Sequence, residues 1–180
     1  SGVKLMNHPT PRAPIGELCR WQLNRALRRF NRSLKRLRAK GAVADRLHDL
    51  RVAVRRTEAV LFLCQPWLRK SHRRWFEDQC DDLRAASNAV RDCDVVLIWL
   101  ELHDPDHESR TKIERQRKAA IDRLGPIVAN LTKGRKIQRH RRRLFQAEAV
   151  DGAGMLAARL LKLSGRFTEF AGDAFSDPKR

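Results

Sequence analysis

Apolar residues recur along this chain at helical spacing, with no sustained strand-like alternation. Between Ile15 and about Lys40, Leu23, Ala26, Leu27, Phe30, Leu34 and Leu37 share one side of a helical wheel, and Arg25, Arg28, Arg29, Arg32 and Arg36 share the other. Gly41 should stop this first helix. The pattern predicts a second over about 43–64 before Pro66, with residues 43, 47, 50, 54 and 61 inward. A third should start with Ser71 as N-cap and run to about Leu102, with Leu83, Ala86, Val90, Cys93 and Leu97 as its inward stripe. A fourth covers 109–124 and continues to Leu131 with a kink or break at Pro126. Gly134 separates a fifth, 135–150, and Gly152 and Gly154 lead to a sixth, 155–171. The expectation is an all-α bundle of about six helices. It forms a single domain over 15–175, preceded by a flexible Pro-containing arm, 1–14, and followed by a tail, 176–180.

Charge sharpens the picture. The chain has 180 residues and a formal charge of +18, and the charge is sorted in blocks. Residues 17–75 carry 17 basic and 4 acidic side chains, 76–108 carry 2 and 10, and 109–148 carry 13 and 3. A block of +13 repels itself unless acids or a polyanion offset it. Of the 39 cations 29 are Arg, whose planar fork suits phosphate oxygens. The partner class is therefore a phosphate-bearing polyanion. No run approaches the roughly 18–20 apolar residues of a membrane span, and the N-terminus lacks a signal-peptide layout, so a cytoplasmic protein without membrane contact is expected. Cys19, Cys64, Cys80 and Cys93 lack CxxC spacing and should be reduced packing residues.

The second helix carries the most specific pattern. His48, Arg51 and Arg55 fall in one sector, beside the apolar stripe. Cations at i, i+3 and i+7 repel each other, so they should face an anion or an acidic neighbour. One alternative makes His48 a core histidine and pairs the arginines with the acids at 77–82. If His48 faces an anion, affinity should rise as pH falls through the imidazole range, near ~6.5.

The stretch Leu47 to Arg56, followed by Ala89-Val90-Arg91-Asp92-Cys93-Asp94-Val95-Val96-Leu97, resembles the conserved histidine α-helical domain, the CHAD family. His48, Arg51, Arg55 and Arg56 match its His-x-x-Arg-x-x-x-Arg/Lys helix, and Arg91, Asp92, Asp94 and Val95 match its Arg-Asp-x-Asp-Val helix. The resemblance implies a helical fold of two bundle-like halves. It also implies basic residues lining a groove that binds inorganic polyphosphate, and association with polyphosphate granules. It is strong over 15–102. Further on, Leu156 takes the place of a second motif histidine and Arg166-Phe167-Thr168-Glu169 is the counterpart of an Arg-Tyr-x-x-Glu ending. The second half is thus shortened or divergent, and the last helix should mainly pack.

The expected polyphosphate contacts are Arg25, Arg28, Arg29, Arg32 and Arg36, then His48, Arg51, Arg55 and Arg56, then Arg91, and finally Arg135, Arg139, Arg142 and Arg143. A solvated face is the alternative for the last four. Asp92 and Asp94 should be structural acids that receive cations from the first two helices. No metal, cofactor or catalytic residue is expected. His48-Asp49 spells the dipeptide of the HD phosphohydrolases, but an upstream histidine on an ordered element is missing, since His8 lies in the arm. Pro105 prevents the helix on which His103 and His107 could share a metal. Walker, GxSxG and GxGxxG loops are absent. The rival partner is nucleic acid, which presents the same anion to the same arginines. Tyr is absent and aromatics make up 6% of the chain, so stacking platforms are scarce.

Overall fold

A computed structural model describes residues 13–103, 107–146, 154 and 156–162. Helices α1 (Ile15–Lys40), α2 (Ala44–Leu63), α3 (Lys70–Leu102), α4 (His107–Thr132) and α5 (Lys136–Arg143) account for most of them, with a short 3-10 turn at Gln65–Trp67. Residues 156–162 are also helical. α1 packs on α2, α2 on α3, α3 on α4, and α4 returns to α1, so four helices close a ring around one core. α5 lies against α1, α3 and α4. The chain is all-α, as expected, and the described residues form one bundle.

The apolar stripe of α1 is wholly inside, with Leu23, Leu27, Phe30 and Leu34 at the centre. Leu50, Val54 and Leu61 of α2, Phe76, Cys80, Leu83 and Val90 of α3, and Leu124 and Val128 of α4 meet it. Each such aliphatic or aromatic side chain contributes about 1.5–3 kcal/mol on burial. Cys19, Cys64 and Cys80 are free and buried and Cys93 is half-buried, in line with the packing role. The Cys64 thiol donates to the Cys19 carbonyl across 3.6 Å, and its contact with Cys19 and its burial push its pKa up. Buried Thr57 donates to the Ala53 carbonyl. Gly41 (φ 77°) closes α1 by donating its N–H to the Leu37 carbonyl, and Gly134 (φ 71°) sits between α4 and α5. Both positive angles favour a residue without Cβ.

Several boundaries differ from the sequence expectation. Ser71 is inside α3, whose N-cap is Arg69. Helix α3 starts earlier because the Arg69 N–H is satisfied by the Leu144 carbonyl at 2.8 Å, so no side-chain cap is needed there. Val43 is the N-cap of α2 and 48% exposed, not part of the inward stripe. α4 begins at His107 and runs unbroken through Pro126. Proline removes one helical donor, and the buried row of Ala120, Leu124, Val128 and Leu131 holds both sides of it to the core. α5 ends at Arg143, well short of 150, because the chain turns to pair with the end of the 3-10 turn. Leu68 and Phe145 lie antiparallel, and the Gln146 N–H donates to the Trp67 carbonyl. The arm before residue 13, Arg166 to Glu169 and the tail lie outside the described residues.

Candidate functional site

The arginine row of α1 is shared between two neighbours. Arg29, Arg32 and Arg36 line a cleft of about 260 Å³ with Ser33 of α1 and with Asp49, Val52, Ala53 and Arg56 of α2. Arg28 and Arg32 line a second cleft of about 360 Å³, whose far wall is Ile137, Gln138 and Arg141 of α5. A third, of about 450 Å³, is lined by Arg135, Gln138, Arg139, Arg142 and Arg143. Arg32 belongs to the first two clefts and Gln138 to the last two, so the three adjoin. Residues 28 and 29 are 100° apart on a helix, and so a single row can serve α2 and α5 together. Arg25 lies at the near end of the row, its guanidinium 5.3 Å over the Trp21 ring.

On the α3 side of α2, half-buried Arg51 stands with Arg55, Arg91 and Asp92. His48 and Arg55 are exposed, on the arc of α2 between Arg51 and the first cleft. The core-histidine alternative for His48 therefore does not hold.

Neighbouring arginines bear on three of these guanidinium groups, chiefly on Arg29 and, after burial, on Arg51 and Arg141. Arg25, then slight burial, Arg56 and Arg32 hold the Arg29 guanidinium below its ordinary pKa. Burial, then Arg55 and Arg91, do the same to Arg51, with Asp92 opposing. Burial, then Arg28 and Arg142, act on Arg141. All stay protonated at neutral pH; for Arg29 the direction records chiefly repulsion by Arg25, whereas for Arg51 and Arg141 burial comes first and repulsion from neighbouring arginines adds to it. Most ion pairs among the described residues involve α3 or α4 instead. Arg84 binds Glu58 at 2.8 Å and also Asp81, and Arg73 binds Glu77 at 2.5 Å. Arg117 binds Asp94 at 2.5 Å, and Arg110 binds Glu114. Along the α1–α2 cleft the acid is Asp49, 3.9 Å from Arg36 with both side chains more than half exposed. Such a pair is worth little.

The two motif acids divide. Asp94 receives its cation from Arg117 of α4, which corrects the expectation that the first two helices supply it. Residues two apart on a helix point about 200° apart. Asp92 therefore faces α2 and Arg51 while Asp94 faces α4. Near residues 156–162, Leu156 packs against the core, and Arg159 donates to the Phe62 carbonyl at 2.7 Å with its guanidinium over the Phe62 ring. Both are packing contacts.

Three participants escaped the sequence reading. Arg141 sits in a five-residue basic run but about 200° from Arg139, so the stripe that links 139, 142 and 143 passes it by. His72 and His140 meet across 68 residues, with Nδ1 atoms 3.2 Å apart, and His140 stacks on Trp75 at 3.9 Å. No local spacing signals that meeting. Among the described residues no group of three or more His, Cys, Asp and Glu side chains could hold a metal ion. His103 is taken up locally, stacked on Trp99 with its Nδ1 2.8 Å from the Trp99 carbonyl.

An all-α bundle with the histidine helix and the Arg-Asp-x-Asp-Val helix side by side defines a class of helical binding domains. The CHAD domain family model matches residues 21–177, most of the chain, and the protein belongs to that family. The family is known for polyphosphate binding and is generally a binding domain. Comparisons with curated proteins and with solved structures return no match. No described helix is long and apolar enough to cross a membrane.

Proposed function

We propose that this chain binds inorganic polyphosphate, without chemical turnover, along an arginine path that runs from Arg91, Arg51 and Arg55 over α2 to the α1–α2 cleft and on to α5. The observation that carries the reading is the adjoining of three arginine-lined clefts, in which Arg25 and its neighbours repel Arg29, and Arg28 and Arg142 add to the burial of Arg141. A linear polyanion relieves that repulsion at every step, whereas a compact anion reaches one cleft only. Lys136 and the neighbouring arginines of α5 extend the path, and His48 lines its outer edge. The cleft linings carry no aromatic side chain, which favours phosphate over stacked bases as the recognised feature. In this reading Asp92 is a positioning acid for Arg51 and Asp94 a structural one. The place of action is the cytoplasm, on polyphosphate granules where these form.

Binding should weaken steeply with salt, with a log–log slope on the order of −4 if about six arginines each neutralise a phosphate. Arg32→Glu and Arg51→Glu should each cost at least ~1.5 kcal/mol, roughly tenfold, while circular dichroism stays unchanged. Fluorescence anisotropy with labelled long-chain polyphosphate reads both effects. Salt-independent affinity, or steady orthophosphate release by the pure protein, contradicts the reading.

A further inference from the structure

Helix α5 is gripped on opposite flanks. Ile137 is buried beneath it, Arg141 reaches the cleft it shares with Arg28, and His140 turns the other way, onto α3. There the imidazole lies flat on Trp75, edge-on to Phe76, with its Nδ1 3.2 Å from that of His72. Arg139 and Arg143, on either side of His140 along the same helix, line the outward cleft.

At 3.2 Å one nitrogen must donate and the other accept. The neutral pair thus carries one bridging proton. One further proton, placed on the donor ring's Nε2, leaves the bridge intact and makes it a charge-assisted bond. A second would set N–H against N–H and break the bridge, so the geometry accommodates one added proton and not two.

The groups around it set the cost of that first proton. Burial, then His72 of α3, then Arg139 and Arg143 of α5, hold His140 below the ordinary histidine range. From α3 the nearby ion pair is Arg73 with Glu77, already engaged with each other. α1 contributes Arg20, over the Phe145 ring, and Arg28 at Arg141, and α4 meets α5 through Lys136, which donates to Asn130. An anion seated on Arg139 and Arg143 cancels the arginine part of that cost.

We propose that the His72–His140 pair is a proton-linked support behind the polyanion site, outside the cleft lining, so that a polyphosphate chain on Arg139 and Arg143 binds together with one proton taken up by the pair. This rests on the polyphosphate reading above. It moves the origin of any pH dependence from His48 to α5.

The test is the affinity of the full chain for long-chain polyphosphate at fixed ionic strength between pH 5.5 and 8. Wild type is compared with His140→Gln, His72→Gln and His48→Gln. Wild-type affinity should rise at least about threefold from pH 7.5 to 6. His140→Gln and His72→Gln should flatten that rise to less than about 1.5-fold, and His48→Gln should leave the slope of the rise as in wild type. Nuclear magnetic resonance of the wild-type imidazoles gives a readout that survives any misfolded variant, and the His140 midpoint should move up when polyphosphate is added. An unmoved midpoint, or a slope lost in His48→Gln and kept in His140→Gln, overturns the proposal. A wild type that binds with a flat profile sinks the proton linkage alone, whereas no binding at any pH sinks the polyphosphate reading with it.

Discussion

Asp94 and Asp92 show how much a single register position decides. Asp94 and Arg117 are largely covered, with side chains 13% and 28% exposed, and the pair ties α3 to α4. Removing the carboxylate strands a half-covered guanidinium, so Asp94→Asn should cost about 1–2 kcal/mol, or ~3–6 °C in Tm by calorimetry. Asp92 is exposed, and Asp92→Asn should stay within about 0.5 kcal/mol. Equal losses in the two variants would contradict the division of the motif acids. His140 makes a second case. Its pKa in the folded chain lies below the ordinary value, so the unfolded chain binds more protons, and stability must fall as pH drops from about 6.5 toward the folded value. Thermal melts between pH 7.5 and 5.5 should show that fall without polyphosphate, and His140→Gln should remove its histidine part. A wild-type Tm that rises on acidification would reverse the sign of the argument.

The helices were legible wherever burial follows the 3.6-residue period along an uninterrupted stretch. α1 and α2 match their expected bounds to within a residue, because Gly41 and Pro66 end them for local steric reasons. Ends set by distant partners were not legible. α5 stops where Leu144, Phe145 and Gln146 find backbone partners at Trp67 to Arg69, and α4 ignores Pro126 because its apolar row is held by three other helices. The motif helices bring Arg51, Arg55 and Arg91 within electrostatic reach of one another, but which arginines of α1 face α2 and which face α5 depends on where α5 docks. Arg28 and Arg29, adjacent in sequence, open onto different clefts for that reason. Docking of α5 rests heavily on Ile137, which is 3% exposed. Ile137→Ala should cost about 2–4 kcal/mol and loosen α5. Polyphosphate affinity should fall with it although no cation is removed, and unaltered affinity in a folded Ile137→Ala protein would mean that α5 is not part of the path.

Across the molecule the charge is unevenly placed, with most ion pairs made by α3 to α2 and α4 or within α3 and α4, and arginines crowded on α1, α2 and α5. A net charge of +18 attracts any polyanion, so charge alone does not choose between polyphosphate and nucleic acid. The choice rests on the shape of the path. Two adjoining clefts between helices, continued by the arginine-lined outer face of α5, suit a thin, flexible chain of phosphates. A duplex presents its phosphates along a rigid rod, and a single strand gains affinity from stacking surfaces that these linings do not offer. Equilibrium competition measures this directly, with labelled long-chain polyphosphate on the protein challenged by unlabelled polyphosphate, duplex DNA and single-stranded DNA at equal phosphate concentration and near-physiological salt. Polyphosphate should displace the label at least about tenfold more effectively than either DNA, and Arg32→Glu should narrow that margin. Equal displacement by all three, or an advantage for DNA, would contradict a dedicated polyphosphate path and leave only a diffuse basic surface.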